Sequence, residues 1–292
     1  MGVRSSISAT LDALKRNPVM FVAAFLVSLV GSATLLAQLS LEPGVASIVV
    51  SVLSFLVQFV ALFFVGGAYA MAAEALDGRT GFGTLVSGGT ENYLSLLGAT
   101  LLLVGVTMAT FIAVGMVAIV VVLGVVFGGG GGSFGTYLAG VGLIYLLGFL
   151  PMFLLQFYGP AVVVSDRNAI GSIKQSYRLV RRNLLSTLGF DVVALVLGLL
   201  GSAPTVWLYA TRFDALVSSD GTFTPLATLD STAVAGYLVA TVVLSTLFGG
   251  FFYTYQVAFY EDLVERTEGS GGEPSVADEP TTGDDAFVGG DR

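Results

Sequence analysis

The 292-residue chain contains no cysteine and no histidine. The first absence excludes disulfides, thiolate metal sites and thiol nucleophiles. The second removes the commonest general base and metal ligand of proteins. Charge is scarce as well: Asp, Glu, Lys and Arg make up 11% of the residues, where a soluble domain carries about 25%. Lysine is nearly missing, with Lys15 and Lys174 set against ten arginines, and tryptophan occurs once, at Trp207. What fills the chain instead is apolar, 55% of it, a composition that belongs to a membrane protein.

The net charge of −8 is unevenly spread. Eight acids lie between Glu265 and Arg292, opposed there only by Arg266 and Arg292. In the same stretch glycine, serine and proline replace apolar residues, which predicts a disordered acidic cytoplasmic tail over 265–292. The preference for arginine and the acid-rich soluble end are compatible with a salt-rich cytoplasm.

The charge-free runs place the membrane spans. Since about 20 apolar residues cross the hydrocarbon, they predict six spans, near 19–39, 43–73, 94–126, 135–163, 187–210 and 232–259. The run from Asn92 to Ser165 is divided at Gly128–Ser133, because a glycine run has neither helix propensity nor side chains to pack. No small-residue cleavage site follows a short apolar core near Met1, so no signal peptide is expected. Six spans put both termini on one side. That side receives ten basic residues if the far Arg292 is left out, and the other receives Arg212 alone, so the positive-inside rule makes both termini cytoplasmic.

The most charged segment is Asp166–Asn183, DRNAIGSIKQSYRLVRRN, with Arg167, Lys174, Arg178, Arg181 and Arg182 against Asp166. Its apolar residues Ile170, Ile173, Tyr177, Val180 and Leu184 fall three and four apart, one face of a helix. A basic amphipathic helix between two spans belongs at the cytoplasmic membrane surface, where its five basic residues are candidates for contact with lipid headgroups. Setting Asn17, Asn92 and Asn183 in register aligns this segment with residues 4–18 and, more weakly, with 79–93. The expected fold is therefore all-α and polytopic: a six-span domain over 1–264, built as three transmembrane hairpins. The units run roughly over 4–75, 79–165 and 166–264, each preceded by an amphipathic or in-plane cytoplasmic helix. The middle copy, with Gly81, Gly83, Gly88 and Gly89, is expected to have a short or broken surface helix.

The Leu14–Pro18 segment LKRNP and the stretch AVVVSDRNAIGSIKQSYRLVRRN at Ala161–Asn183 resemble a family of uncharacterised six-span membrane proteins found widely in haloarchaea. More distantly, the organisation resembles the membrane domain that accompanies some glycerophosphodiester phosphodiesterases. The resemblance covers roughly residues 1–265 and implies a fold without supplying site residues.

Few polar residues lie within the spans. Asp191 is the acid nearest the body of one. Because 20 uncharged residues follow it, it is expected at the inner interface beside Arg181 or Arg182, with a transport carboxylate as the alternative. Gln58, Gln156 and Gln256 fall in the even-numbered spans and read as interhelical hydrogen-bonding residues, with a polar conduit as the alternative. Aromatic residues near the inner ends of the same spans, and small residues four apart at Ala24, Ser28 and Ser32, read as packing. The GFGTLV segment at 81–86 and the glycine run lack the remaining residues of nucleotide and phosphate loops. No catalytic set, metal site or cofactor is expected, nor binding of nucleic acid. The partners expected are membrane lipids and an unidentified protein. The function this favours is a non-enzymatic membrane protein that organises lipid or partner proteins. A small transporter or channel is the alternative, and an intramembrane enzyme the remotest reading.

Overall fold

A computed structural model describes residues 2–39, 44–127, 134–217 and 229–269. The glycine run and the segment from 270 onward, most of the expected tail, lie outside them. The described residues are all-helical, in ten helices: α1 (Val3–Arg16), α2 (Met20–Leu39), α3 (Val45–Asp77), α4 (Phe82–Phe127), α5 (Phe134–Leu155), α6 (Tyr158–Val163), α7 (Ala169–Arg182), α8 (Leu184–Gly201), α9 (Ala203–Leu216) and α10 (Ser231–Gly269). Five segments are long and apolar enough to cross a membrane, or six if α1 and α2, which meet at a 98° bend, form one broken span. At 1.5 Å per residue α3 is about 50 Å long and α10 nearly 60 Å, so each exceeds the roughly 30 Å hydrocarbon layer.

The bend between α1 and α2 follows from Asn17-Pro18. Proline drives the residue before it out of the helical region, and Asn17 sits at φ −130°, ψ 67°. The Asn17 side chain then fastens the corner. Its amide donates to the carbonyls of Ala13 (3.0 Å) and Gly78 (2.9 Å), and its oxygen accepts from the Thr80 N–H (2.9 Å). The end of α1 is thereby pinned to the end of α3. Asn183 closes α7 in the same backbone manner, and its amide donates to the Leu179 carbonyl at 3.0 Å and to the Thr267 hydroxyl on α10 at 3.3 Å. Asn92 also donates to the carbonyl four residues back, that of Gly88 at 3.0 Å, but from inside α4. The middle segment therefore has no separate surface helix: α4 starts at Phe82 and runs through Asn92 without a break.

That continuity is a departure from what its glycines suggest, and packing accounts for it. Gly66 and Gly67 of α3 cross Gly88 and Gly89 of α4 almost backbone to backbone. A Cβ on Gly67 would strike the Leu85 carbonyl oxygen, one on Gly88 the Ala70 methyl, and one on Gly89 would lie 2.6 Å from the Phe63 carbonyl oxygen. The cost of glycine in a helix, about 1 kcal/mol, is offset by contacts that only a bare backbone permits. The span expected over 187–210 is likewise two helices. Pro204 stands in the first turn of α9, where its missing N–H costs nothing, and the chain breaks at Ser202.

Burial repeats around the three asparagines. The positions seven, four and three residues before each are buried: Thr10, Ala13 and Leu14; Leu85, Gly88 and Gly89; Ser176, Leu179 and Val180. So is the position seven after: Ala24, Ala99 and Phe190. Near this end of the molecule lie two large core clusters. One joins Leu14, Met20, Met71, Ala72, Leu85 and Val257. The other is aromatic, with Phe157, Phe190, Tyr255, Phe259 and Tyr260 around Leu263, and within it the Phe190 and Tyr255 rings stack at 4.9 Å. Ala24 faces Gly249 and Gly250, which lets α2 lie close to α10. At the opposite end a smaller cluster of Leu208, Leu216 and Tyr237 is joined by an Arg212–Asp230 ion pair. Elsewhere the long helices expose apolar side chains in continuous strips, such as Ile48, Val52, Phe55 and Leu56 on α3 and Ile112, Met116 and Val120 on α4. Exposed apolar surface on this scale marks contact with a membrane.

Candidate functional site

The basic helix α7 is set in place by the chain around it. Asp166 turns the backbone at φ 48°, a left-handed conformation that Asp tolerates better than most residues. The Asn168 side chain then accepts from the Gly171 N–H at 2.8 Å and caps the helix. Arg181 and Arg182 fall in the last turn, where the helix dipole favours positive charge.

Around its axis α7 carries three different strips. Ser172, Ser176, Leu179 and Val180 are buried against the bundle. Ile170, Tyr177 and the following Leu184 are exposed, so most of the apolar row read from the sequence is not the face packed into the protein. Lys174, Arg178, Arg181 and Arg182 form the third strip, exposed, with Arg167 at its start. None of these five basic side chains is in an ion pair among the described residues. Lys174, Arg178, Arg181 and Arg182 line an open concavity of about 550 Å³ with Tyr177, and Arg167, Lys174, Arg178 and Arg182 wall a groove of about 320 Å³ whose other side is Val264 and Glu268 of α10.

A proline explains how the buried strip is held. Pro160 has no N–H to give the carbonyl of Gln156 four residues earlier, and the helix breaks between α5 and α6. The freed Gln156 carbonyl accepts from the Gln256 side chain at 2.8 Å. The freed Phe157 N–H donates to the Ser176 hydroxyl at 3.0 Å, and that hydroxyl donates to the Leu154 carbonyl at 3.3 Å. Ser176 thus docks α7 into the break.

The same break gathers the intramembrane polar residues. Gln256, 4% exposed, accepts from the Tyr69 hydroxyl at 2.7 Å, and the Gln156 side chain donates to Asp191 at 3.3 Å. Three of the four polar residues singled out from the sequence therefore meet, while Gln58 stands apart, exposed on α3. Asp191 pairs with neither Arg181 nor Arg182 among the described residues: about two helical turns past Asn183, it faces Gln156 rather than the basic strip. Tyr255 is fully buried, its hydroxyl has no hydrogen-bond partner among the described residues, and it lies within electrostatic reach of Asp191. A second chain runs from Arg167 to the Gln175 side-chain oxygen (2.9 Å), from the Gln175 side-chain amide to the Tyr260 hydroxyl (2.7 Å), and on to Ser165 (2.6 Å), fastening α7 to α10. The sequence does not single out Tyr69 or Ser176, and it marks Tyr260 only as an aromatic near the inner end of its span. An apolar run surrounds Tyr69, but Ser176 lies among Lys174, Gln175 and Arg178 and carries no local signal.

These features define a multi-span, all-helical membrane protein with a basic helix seated across one end of its bundle. The chain belongs to the family described as a domain of unknown function (DUF7847), whose model matches residues 1–263. No curated protein and no solved structure matches it.

Proposed function

We propose that the protein is a non-enzymatic membrane organiser that holds anionic lipid headgroups against α7 at the cytoplasmic face. The observation that carries this reading is the three-way division of α7: one strip packed on the bundle, one exposed and apolar, one exposed and basic. A helix in a membrane interface needs the last two side by side, the apolar strip for the acyl boundary and the cations for phosphates. We read the whole bundle as three hairpin units. In support, α2 packs along α3, α4 along α5, and α8 with α9 along α10, with an asparagine of the same burial pattern ahead of the first and third pairs and inside α4 of the second. Gly2 lies beside Arg266, so the start of α1 and the end of α10 share the basic end. The positive-inside rule assigns that end to the cytoplasm. The arginine preference and acid-rich end fit a cytoplasm of high salt, in which the basic strip would act mainly at short range.

Retained lipid provides the test. At about 1 kcal/mol per basic residue near an anionic surface, the triple variant Arg178→Gln, Arg181→Gln, Arg182→Gln is expected to retain phosphatidylglycerol on the order of a hundred times more weakly than the parent protein in native mass spectrometry from low salt. Retention of phosphatidylcholine should not change. Equal loss of both lipids, or of neither, would contradict the proposal. One observation favours the alternative of a small transporter: the Asp191 carboxylate and the Tyr255 hydroxyl both lie within the bundle without a paired cation among the described residues. Solute flux in proteoliposomes that Asp191→Asn abolishes would replace the present reading with that one.

A further inference from the structure

The groove between α7 and α10 has one wall of cations and one wall formed by the last turns of α10. Val264 and Glu268 belong to that second wall, and α10 ends at Gly269. The chain therefore leaves the described structure at the mouth of the groove. The next 23 residues, 270–292, hold Glu273, Asp278, Glu279, Asp284, Asp285 and Asp291 against one cation, Arg292. Five basic residues without ion pairs among the described residues thus stand beside a segment with a net charge of −5. Treated as a coil, 23 residues reach roughly 27 Å, while α7 is about 21 Å long. Its attachment at the groove gives the segment an effective concentration on the order of millimolar, enough for a weak ionic contact to be well populated. The only other described lysine, Lys15, already pairs with Asp12 at 3.6 Å.

We propose that residues 270–292 dock along the basic face of α7 and compete there with anionic lipid headgroups. The occupant is argued from charge, length and point of attachment: the face is cationic, the segment is anionic, and it begins where the groove opens. This deepens the headgroup reading, since the segment decides when the cations are free to meet lipid. The docking itself does not depend on that reading, because it should occur in neutral lipid.

The full chain offers a direct probe, since Lys15 and Lys174 are its only lysines. Single molecules in phosphatidylcholine nanodiscs would be treated with a carbodiimide, which joins a lysine amine to a carboxylate in contact with it, and the linked peptides read by mass spectrometry. Lys174 is expected to link to Asp278, Glu279, Asp284 or Asp285 at least fivefold more than Lys15 does. A Lys174–Glu268 link follows from the groove wall alone and does not count. The yield should fall severalfold in 1 M NaCl, and likewise in the Arg178→Gln, Arg181→Gln, Arg182→Gln variant, which keeps Lys174. It should fall again when phosphatidylglycerol replaces half of the lipid. No Lys174 link beyond Glu268, or equal links from both lysines, would overturn the docking. Links that form in neutral lipid and persist unchanged in phosphatidylglycerol would overturn the competition and count against headgroup binding, while leaving the docked segment in place.

Discussion

Gly67→Val is expected to prevent α3 and α4 from assembling. The atom in the way of a new Cβ is the carbonyl oxygen of Leu85, which belongs to the backbone of α4. A side chain can rotate away from an intruding methyl, but a carbonyl in a helix moves only if the helix moves. Overpacking of cores costs about 1–3 kcal/mol where side chains can adjust, and here the upper end is the starting point. Moving α4 would also draw Leu85 out of the cluster it shares with Leu14 and Met71. Gly105→Ala and Gly115→Ala are the matched controls, since a Cβ at either meets nothing within 4 Å. The check is the fraction of monodisperse protein surviving a heating series in detergent. The controls should match the parent protein, whereas Gly67→Val should be aggregated before heating. A Gly67→Val protein as stable as Gly115→Ala would mean that the glycine crossing is not what holds these helices together.

Asn17→Ala should have the second-largest effect. The side chain is 2% exposed and bonds three backbone groups outside its own helix turn: the carbonyls of Gly78 and, at 3.4 Å, Ala75, and the N–H of Thr80. Each lost hydrogen bond costs about 1 kcal/mol, and more where a buried partner is left unpaired, so a loss of roughly 3 kcal/mol is expected. The three asparagines should then rank by their partners. Asn183, bonded to Leu179 and Thr267, should cost less than Asn17 on replacement by alanine, and Asn92, whose amide reaches only Gly88, should cost least. Melting temperatures of the three alanine variants check this, and an inverted order would refute it.

The asparagines also show how much could be read before any coordinates. Their spacing marks the three places where a polar segment enters a span. The same burial at seven, four and three residues before each follows from that register, because a helix returns the same face at those intervals. The basic character and helical form of α7 were equally plain. Which strip faces protein was not, since Ser172 and Ser176 look like surface residues until the break at Pro160 supplies the Phe157 N–H and Leu154 carbonyl that Ser176 satisfies. Partners far apart in the chain are invisible to periodicity: nothing local joins Tyr69 to Gln256, or turns Asp191 toward Gln156 and away from Arg181. The glycines of the middle segment mislead for a related reason, because helix propensity describes an isolated segment, whereas Gly88 and Gly89 are used by α3. Gln58 shares residue type and span position with Gln156 and Gln256, yet it stands exposed on α3.

The account rests on α7 lying in the membrane interface with its three strips facing protein, acyl chains and water. Because the chain has no native cysteine, single cysteines carrying nitroxide labels can be placed along α7 in the reconstituted protein. Collision with oxygen, which partitions into lipid, can then be compared with collision with a water-soluble nickel complex. The account predicts that labels at Ile170 and Tyr177 collide mainly with oxygen, labels at Lys174, Arg178 and Arg181 mainly with nickel, and labels at Ser172 and Ser176 poorly with both. Labels at Ile170 and Tyr177 as open to nickel as those at Lys174 and Arg178 would place α7 in water, and would contradict it.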